Sequence, residues 1–189
     1  GQARLYADGI FPTASGRAHF YAAPYRPVAE AIDARYPLHL NTGRLRDQWH
    51  AMSRTGRVAR LFAHADTPVL SMNARDLELR RLKAGDLVRI KSRRGEVVVA
   101  AEASDSVRPG QCFLPMHWGA RFMGGHGINA LTLPVFDAVS KQPELKHAAV
   151  QVAKDERPWR MAALAVGNGT NLLDAVQPLL RACDYGAAG

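Results

Sequence analysis

The sequence predicts a mainly β domain with a barrel-like sheet and only short helices. Short runs rich in β-branched and other apolar residues recur along the chain, and turns that contain glycine or proline separate them. The helical patterns between these runs are brief, as in a domain that folds around one sheet. With 189 residues, the chain is long enough for one such domain with a sizeable core and appendages.

Residues 1–36 are predicted to be a connector from a preceding domain. Turn signals at Asp8-Gly9 and Ser15-Gly16, together with several prolines, interrupt any long element, so only short strand-like pieces are expected. The chain begins with Gly1, which suggests an excised piece of a larger protein. Aromatic residues of this connector imply that it lies against a surface: Tyr6, Phe11, Phe20, Tyr21 and Tyr25.

Six strands are predicted between residues 37 and 154, where the barrel itself is expected. They are residues 37–42, 68–72, 87–92, 96–103, 111–116 and 147–153. The third and fourth strands form a hairpin in which Gly95 is expected to adopt a positive φ. Short helices are expected at residues 47–52 and 57–63, and Asn73 is expected to cap a helix that ends near Leu82.

Residues 155–189 are predicted to be a C-terminal extension that is partly helical. One helix is expected near residues 171–183, where apolar residues recur at helical spacing despite Pro178. This stripe suits either core packing or the docking of a partner. It consists of Leu172, Leu173, Val176, Leu179 and Leu180.

The net charge of +8 favours anionic partners, such as a phosphorylated cofactor, an acidic protein or nucleic acid. The basic residues are spread over residues 44–60, 80–83 and 91–94 and are not gathered in one block. Such a distribution fits a rim of turns better than a nucleic-acid surface, and aromatic residues are not interleaved with it in a stacking pattern. No nucleic-acid partner is therefore expected.

Compartment and metal content follow from what the sequence lacks. No signal-like N-terminus and no long apolar run is present, which predicts a soluble protein that is neither exported nor membrane-bound. Cys112 and Cys183 are far apart, which argues for a reducing compartment, and the cytoplasm is the expected location. The seven histidines are scattered and lack the spacing of a metal site, so no metal ligands are predicted.

Hydrogen-bond donors are concentrated in residues 41–55, directly after the first predicted strand. A strand, a Thr42-Gly43 turn and a short helix form a geometry that aims backbone N–H groups at a phosphate. The donors suit a flat, anionic ligand; solvated arginines beside a core Trp-His pair are the alternative. The side chains concerned are Arg44, Arg46, Trp49, His50, Ser53, Arg54 and Thr55.

Four separated segments carry a family resemblance. They read LNTGRLRDQWHAMSRT at residues 40–55, FLPMHW at 113–118, INALT at 128–132 and SKQPELKHAAVQV at 140–152. In this order they resemble the C-terminal domain of assimilatory nitrate reductase catalytic subunits, which are bis-molybdopterin guanine dinucleotide oxidoreductases. The resemblance covers residues 4–153, including the connector. Periplasmic nitrate reductases and formate dehydrogenases are more distant relatives.

The resemblance implies a six-stranded double-psi β-barrel over residues 37–154. In the family, this barrel grips the guanosine diphosphate parts of bis-molybdopterin guanine dinucleotide, which carries the molybdenum. The implied parent is a molybdenum nitrate reductase, which reduces nitrate to nitrite with two electrons. Other domains of the same catalytic subunit would supply an iron–sulfur cluster, and an electron-donor protein would serve them. No residue of this chain is expected to be catalytic, and the chain alone is expected to be inactive.

The family's cofactor contacts are carried over by motif position and fall on separate segments of this chain. The segment after the first strand makes the first phosphate or pterin contact, residue 129 faces the cofactor from the opposite side, and residue 146 places a charge on it. His50 is followed here by Ala51, where a threonine is expected in many relatives, so one hydroxyl contact is missing. The cofactor-binding residues implied are Thr42, Gly43, Arg44, Trp49, His50, Met52, Ser53, Thr55, His117, Trp118, Asn129 and Lys146.

Two further interpretations remain beside the nitrate reductase domain. The same barrel could serve a formate dehydrogenase or another molybdenum oxidoreductase, because substrate choice is made largely outside this domain. A basic, non-catalytic β domain that binds nucleic acid or protein is the alternative of another class. The glycine-rich loop at residues 118–127 is either an ordinary connector or, with His117, Trp118 and Arg121, part of the substrate entrance.

Overall fold

A computed structural model describes residues 4–22, 24–158, 161–164, 166 and 172–183 of the chain. Six strands close into a barrel in the order β1-β5-β2-β4-β3-β6, so the predicted mainly β fold with a six-stranded barrel is confirmed. The strands are β1 (Leu38–Gly43), β2 (Val69–Met72), β3 (Leu87–Lys91), β4 (Glu96–Ala103), β5 (Gln111–Pro115) and β6 (Ala148–Lys154).

Two strand pairs in the barrel are parallel, and they decide which strand ends lie together. β1 runs parallel to β5, with Gly43 opposite Pro115, and β2 runs parallel to β4. β6 is antiparallel to both β1 and β3, so it begins where those two strands end. We call this end of the barrel the carboxyl edge; it collects the ends of β1, β3 and β5 and the start of β6.

Alternation along the strands builds the core. In β1, β2 and β3, every second residue is buried, and the apolar residues among them are at most 1% exposed. Burying one such aliphatic side chain contributes about 1.5–3 kcal/mol to folding. The inward residues of these three strands include Leu38, Leu40, Leu70, Met72, Val88 and Ile90.

The helices are short, and their ends have local causes. α1 (Ala59–Phe62) and α2 (Ala74–Leu79) follow β1 and β2, and the Asn73 side chain accepts from the Arg75 N–H as the cap predicts. α2 ends before the predicted Leu82 because Arg81 adopts a φ of 55°. The Leu82 N–H then reaches back to the Leu77 carbonyl and closes the helix end.

The helix predicted at residues 47–52 is wrong in most of its length. The segment forms turns and a single 3-10 turn at His50–Met52. Ala51 and Met52 adopt φ values of 46° and 51°, a left-handed conformation that an α-helix cannot contain. Residues 57–63 contain a 3-10 turn, Thr55–Arg57, before α1.

Gly95 closes the β3–β4 hairpin, but the reason predicted for it is wrong. Its φ does not lie in the left-handed region. A Cβ at this position would instead lie 2.9 Å from the carbonyl oxygen of Ala130 and 3.2 Å from its Cβ. Glycine is therefore required by the close approach of another backbone segment, the 3-10 helix Ile128–Leu131.

The described part of the connector, residues 4–22 and 24–36, contains no strand. Three of its five aromatic residues do not lie against a surface of this chain, contrary to the prediction: Phe20, Tyr21 and Tyr25 are each more than 80% exposed, whereas Tyr6 stacks on the half-buried Phe11. The connector is instead fastened by Glu30, which forms ion pairs with Arg93 and Arg94 of the hairpin turn.

A C-terminal helix, α3 (Leu172–Ala182), is present as predicted and contains Pro178. Leu172 is 37% and Leu179 is 55% exposed, so the stripe is only partly covered; the side chain of Leu173 is outside the described part. None of the helices in the described residues has the length and apolar content that crossing a bilayer requires.

The close approach at Gly95 predicts a specific loss of stability. Gly95→Ala is expected to destabilise the protein by about 1–3 kcal/mol, because a backbone carbonyl cannot move aside cheaply. Gly119→Ala is the matched control, since a Cβ there meets nothing within 4 Å. Chemical unfolding of both variants tests this; equal stabilities would contradict it.

Glu30 predicts a pH dependence of stability. The hydrogen bond from Arg94 is the largest cause that lowers the pKa of Glu30 from 4.5 to about 2. The ionised carboxylate therefore stabilises the fold above pH 4.5, and this contribution is lost as the pH falls from 4.5 towards 2.

Glu30→Gln removes that contribution. We expect the variant to be less stable than the original protein at about pH 7 and the difference to shrink towards about pH 2. Unfolding free energies measured across this range check the prediction. A difference that stays constant with pH would contradict it.

Candidate functional site

The carboxyl edge brings together three of the sequence segments singled out above. Thr42 and Gly43 end β1, His117 and Trp118 follow β5, and Lys146 precedes β6. The first two segments meet because β1 and β5 are parallel, so the residues that follow each strand leave the barrel at the same end. A side chain then crosses between segments: the Lys146 Nζ donates to the Thr42 carbonyl at 2.9 Å.

The end of β1 is closely packed. The Thr42 hydroxyl is buried and donates to the Leu145 carbonyl, so it holds the β6 approach in place. A Cβ on Gly43 would lie 2.7 Å from Cε2 of Phe113, which explains the glycine. The Met116 N–H donates to the Gly43 carbonyl at 2.9 Å, so the contact between the two segments continues beyond the ends of β1 and β5.

Residues 44–55, which we call the donor loop, fold into a compact arch above this edge. One guanidinium nitrogen of Arg44 lies 2.7 Å from Nε2 of His50. The Arg54 guanidinium lies over the Trp49 ring, 4.7 Å from its centroid, a cation–π contact. These contacts tie the two sides of the arch to each other and leave its polar groups at the surface.

Gln48 anchors the donor loop, and the sequence interpretation missed it. It is 5% exposed; its amide nitrogen donates to the carbonyls of Ala65 at 2.8 Å and Phe62 at 3.3 Å. Its amide oxygen accepts from the Thr55 hydroxyl at 2.5 Å. Only a glutamine among charged neighbours marks this position in the sequence, and its burial depends on a segment 14 to 17 residues away.

His117 joins the donor loop to the end of β5. Its Nε2 accepts from the Leu45 N–H at 2.9 Å, which places the ring proton of the neutral form on Nδ1. Burial is the largest cause that lowers the pKa of His117; His50 and Arg44 act in the same direction, and the Trp49 carbonyl opposes them. The neutral tautomer is thus the favoured form.

Two buried ring nitrogens at this edge make no hydrogen bond of ordinary geometry within the described part of the chain, although the Trp49 carbonyl is near enough to His117 to raise its pKa. They are Nδ1 of His117, which is 1% exposed, and Nε1 of Trp118, which is fully buried. A buried N–H group without a partner costs about 1–3 kcal/mol. Such groups call for a water or a ligand atom.

Asn129 lies in a segment next to the same edge. It lies in the 3-10 helix Ile128–Leu131, which is joined to the end of β5 by a hydrogen bond from the Ile128 N–H to the Trp118 carbonyl at 3.2 Å. The Asn129 side chain is exposed and makes no hydrogen bond to the described residues. Its amide is therefore available to a ligand.

The predicted site residues divide by burial. Thr42, Met52, His117 and Trp118 are buried and shape the edge from within, and Thr55 is committed to Gln48. The residues that present donors or charge to solvent are Arg44, Trp49, His50, Ser53, Asn129 and Lys146. Gly43 is buried and has no side chain, which leaves room for the Phe113 ring.

The charge at this edge is positive. The donor loop contains one carboxylate, Asp47, and Arg46 binds it with two nitrogens at 3.0 and 3.2 Å. The exposed guanidinium groups of Arg44 and Arg54 and the Lys146 ammonium are left to attract an anion. Among the described residues, no three His, Cys, Asp or Glu side chains gather as ligands for a metal ion.

The loop at residues 118–127 contacts α3. The Gln177 amide donates to the Arg121 carbonyl, and the Arg121 guanidinium lies 3.7 Å from a carboxylate oxygen of Asp174. Both charged side chains are more than half exposed, so this pair contributes little to stability. That this loop reaches a substrate entrance stays a prediction.

Comparisons with known proteins agree with this geometry. The chain is 42% identical to a nitrate reductase of Klebsiella oxytoca over 135 residues, 71% of this chain and 16% of that protein. It is 40% identical to a nitrate reductase of Synechocystis sp. over 149 residues, 79% of this chain and 21% of that protein. The chain thus spans 16 to 21% of the length of these curated relatives.

The fold also has a solved counterpart. Acetylene hydratase from Pelobacter acetylenicus matches 64% of this chain, with a TM-score of 0.53 and 15% sequence identity, over 18% of its own length. Residues 38–149, which run from the start of β1 into β6, match the family described as the molydopterin dinucleotide binding domain. A match over more than half of the chain, on the barrel that carries the donor loop, shows that the chain belongs to the molydopterin dinucleotide binding domain family.

Proposed function

We propose that this chain is the cofactor-holding domain of a molybdenum-dependent nitrate reductase. It would hold the guanine dinucleotide part of bis-molybdopterin guanine dinucleotide in a parent enzyme that reduces nitrate to nitrite with two electrons. The observation that carries the proposal is the carboxyl edge, where exposed donors and unopposed positive charge meet. The likeness to two nitrate reductases supports the choice of substrate.

The residues present fit a nucleoside diphosphate. Arg44 and Lys146 supply positive charge, and each charge-assisted hydrogen bond contributes about 1.5–3 kcal/mol. Ser53 and Asn129 are exposed and supply neutral donors. Gly43 is buried against the Phe113 ring, so it shapes the end of β1 and leaves ligand contact to its exposed neighbours. Trp49 is 41% exposed and offers a flat face next to these donors.

The unpartnered ring nitrogens of His117 and Trp118 fit the same ligand. Both carry protons in the favoured state, so they donate and do not accept. A phosphate, a pterin oxygen or an ordered water would satisfy them, and each satisfied donor removes about 1–3 kcal/mol of burial cost. His117 would then accept from the Leu45 N–H at Nε2 and donate to the ligand from Nδ1.

The cofactor supplies the redox chemistry when it is bound. This chain contributes binding, orientation and a positive electrostatic environment. We place the catalytic residues, the iron–sulfur cluster and the docking site of the electron donor in the rest of the parent subunit. We further propose a cytoplasmic enzyme, a barrel domain over residues 37–154 flanked by the connector and the extension, and no nucleic-acid partner.

The parent protein tests this proposal directly. Purified from cells that make the cofactor, it is expected to contain molybdenum and guanine nucleotide and to form nitrite from nitrate with a reduced viologen dye. Cofactor without nitrite formation would move the reaction to formate or another substrate. Absence of both molybdenum and nucleotide would refute the cofactor assignment.

Asn129 gives a residue-level prediction. In the parent protein, Asn129→Ala is expected to weaken guanine nucleotide retention by about twofold to tenfold, the effect of one neutral hydrogen bond of ~0.5–1.5 kcal/mol. Little change in thermal stability is expected, because the amide bonds to no described residue.

Gln111→Ala is the matched control for this variant. Gln111 is an exposed amide at the opposite end of β5, so its loss should leave retention unchanged. Nucleotide content after gel filtration is the measurement. Equal content in the two variants would exclude Asn129 from the site.

A further inference from the structure

We infer that Glu30 of the connector is a positioning residue for the cofactor site. Its side chain and its backbone hold, from outside the barrel, the two segments that carry Asn129 and Lys146. The inference rests on the proposed function, since it concerns how those two residues are kept in place for the ligand. Glu30 itself contacts neither of them.

The side chain of Glu30 acts through Arg94. The two carboxylate oxygens accept from two Arg94 nitrogens at 2.9 Å each, and the carboxylate is only 11% exposed. The same guanidinium donates to the Leu131 carbonyl at 3.0 and 3.3 Å. Leu131 is the last residue of the 3-10 helix that carries Asn129. One planar cation thus joins the connector to that helix.

The contact between the hairpin turn and this helix leaves no free space. The Ala130 backbone occupies the space that a side chain at residue 95 would need; its oxygen would lie 2.9 Å from a Cβ there. Arg94 therefore binds the carbonyl of a helix, Ile128–Leu131, that already packs against the hairpin turn at Gly95. Loss of the Glu30 carboxylate would free the Arg94 guanidinium to leave the Leu131 carbonyl for water.

The backbone of Glu30 acts through His147. The Glu30 carbonyl accepts from His147 Nε2 at 2.7 Å, and His147 is 7% exposed and directly follows Lys146. A Glu30 carboxylate oxygen also accepts from the Ala149 N–H at 3.3 Å. The start of β6 is thereby held from the connector side, while Lys146 reaches across the edge to the Thr42 carbonyl.

The protonation pattern around His147 is consistent with a fixed arrangement. Because a carbonyl only accepts, Nε2 of His147 carries a proton, and the Nδ1 atoms of His147 and His39 form a hydrogen bond 3.3 Å long. Burial, followed by the charge of His147, lowers the pKa of His39.

Asp33 offers a matched control within the same cluster. Like Glu30, it is a connector carboxylate that pairs with Arg93. It is 48% exposed, and its other contacts are the local N–H groups of Arg35 and Tyr36. It touches neither Arg94 nor His147, so its loss removes an ion pair without releasing the two segments.

The test compares Glu30→Gln, Asp33→Asn, Arg94→Gln and the Glu30→Gln/Arg94→Gln double variant in the parent protein. We measure molybdenum and guanine nucleotide per protein, and hydrogen exchange of peptides that cover residues 127–132 and 145–149. Glu30→Gln is expected to lose nucleotide about tenfold faster, the effect of about one charge-assisted hydrogen bond. It is also expected to exchange faster in residues 127–132 and, to a smaller extent, in residues 145–149, where the bond from the Ala149 N–H is weakened and the bond from His147 to the Glu30 carbonyl remains. Asp33→Asn is expected to change neither quantity.

The double variant separates positioning from general loss of stability. If the Glu30 side chain acts through Arg94, the double variant should release nucleotide no faster than Arg94→Gln, because the coupled losses do not add. Additive losses, or equal exchange in Glu30→Gln and Asp33→Asn, would overturn the inference. Should Glu30→Gln fail to fold, Glu30→Asp replaces it, and the shorter carboxylate is expected to give the same two changes at smaller size.

The two proposals fail separately. A wild-type parent protein without molybdenum and nucleotide refutes the proposed function, and the exchange measurement still decides the role of Glu30 in holding the two segments. A loaded wild-type protein whose Glu30→Gln variant keeps its cofactor and its exchange rates refutes the positioning role alone.

Discussion

The parallel pairing of β1 with β5 is the constraint on which the rest of this structure depends. Side by side and in the same direction, the two strands deliver the donor loop and the His117-Trp118 pair to one end of the barrel. β6, antiparallel to β1, brings Lys146 to the same end. Residues more than 100 positions apart in the chain thereby become neighbours, as the bond between Lys146 and Thr42 shows. An antiparallel β1–β5 pair would have sent the two segments to opposite ends.

Two sets of polar groups at the carboxyl edge have different roles: one fixes the loops and the other is exposed to a ligand. The buried set, with Thr42, Gln48 and His117, spends its hydrogen bonds on backbone groups and fixes the loops. The exposed set, with Arg44, Asn129 and Lys146, leaves donors or charge at the surface. Such an arrangement lets a ligand meet groups whose positions are already set, which reduces the conformational entropy lost on binding.

Close packing accounts for three glycines at this edge. Gly43 lies against Phe113, Gly95 against Ala130, and Gly127 against Gly119, where a Cβ would lie 2.7 Å from the Cα of that residue. In each case another segment occupies the space of a side chain. Only Gly127 also has a positive φ, of 73°. These contacts hold the hairpin, the 118–127 loop and the Asn129 segment against one another, and the Glu30–Arg94 ion pair fastens that assembly to the connector.

Local patterns in the sequence by themselves determined the strands, the hairpin, the Asn73 cap and the donor-rich stretch, because strand alternation, capping and turn chemistry act over a few residues. Tertiary structure decided the left-handed Ala51 and Met52, the burial of Gln48, the tautomer of His117 and the reason for Gly95. It also decided that Glu30 would meet Arg94 and His147, 64 and 117 residues away. These features depend on which distant segments the barrel brings into contact, and no local periodicity encodes that choice.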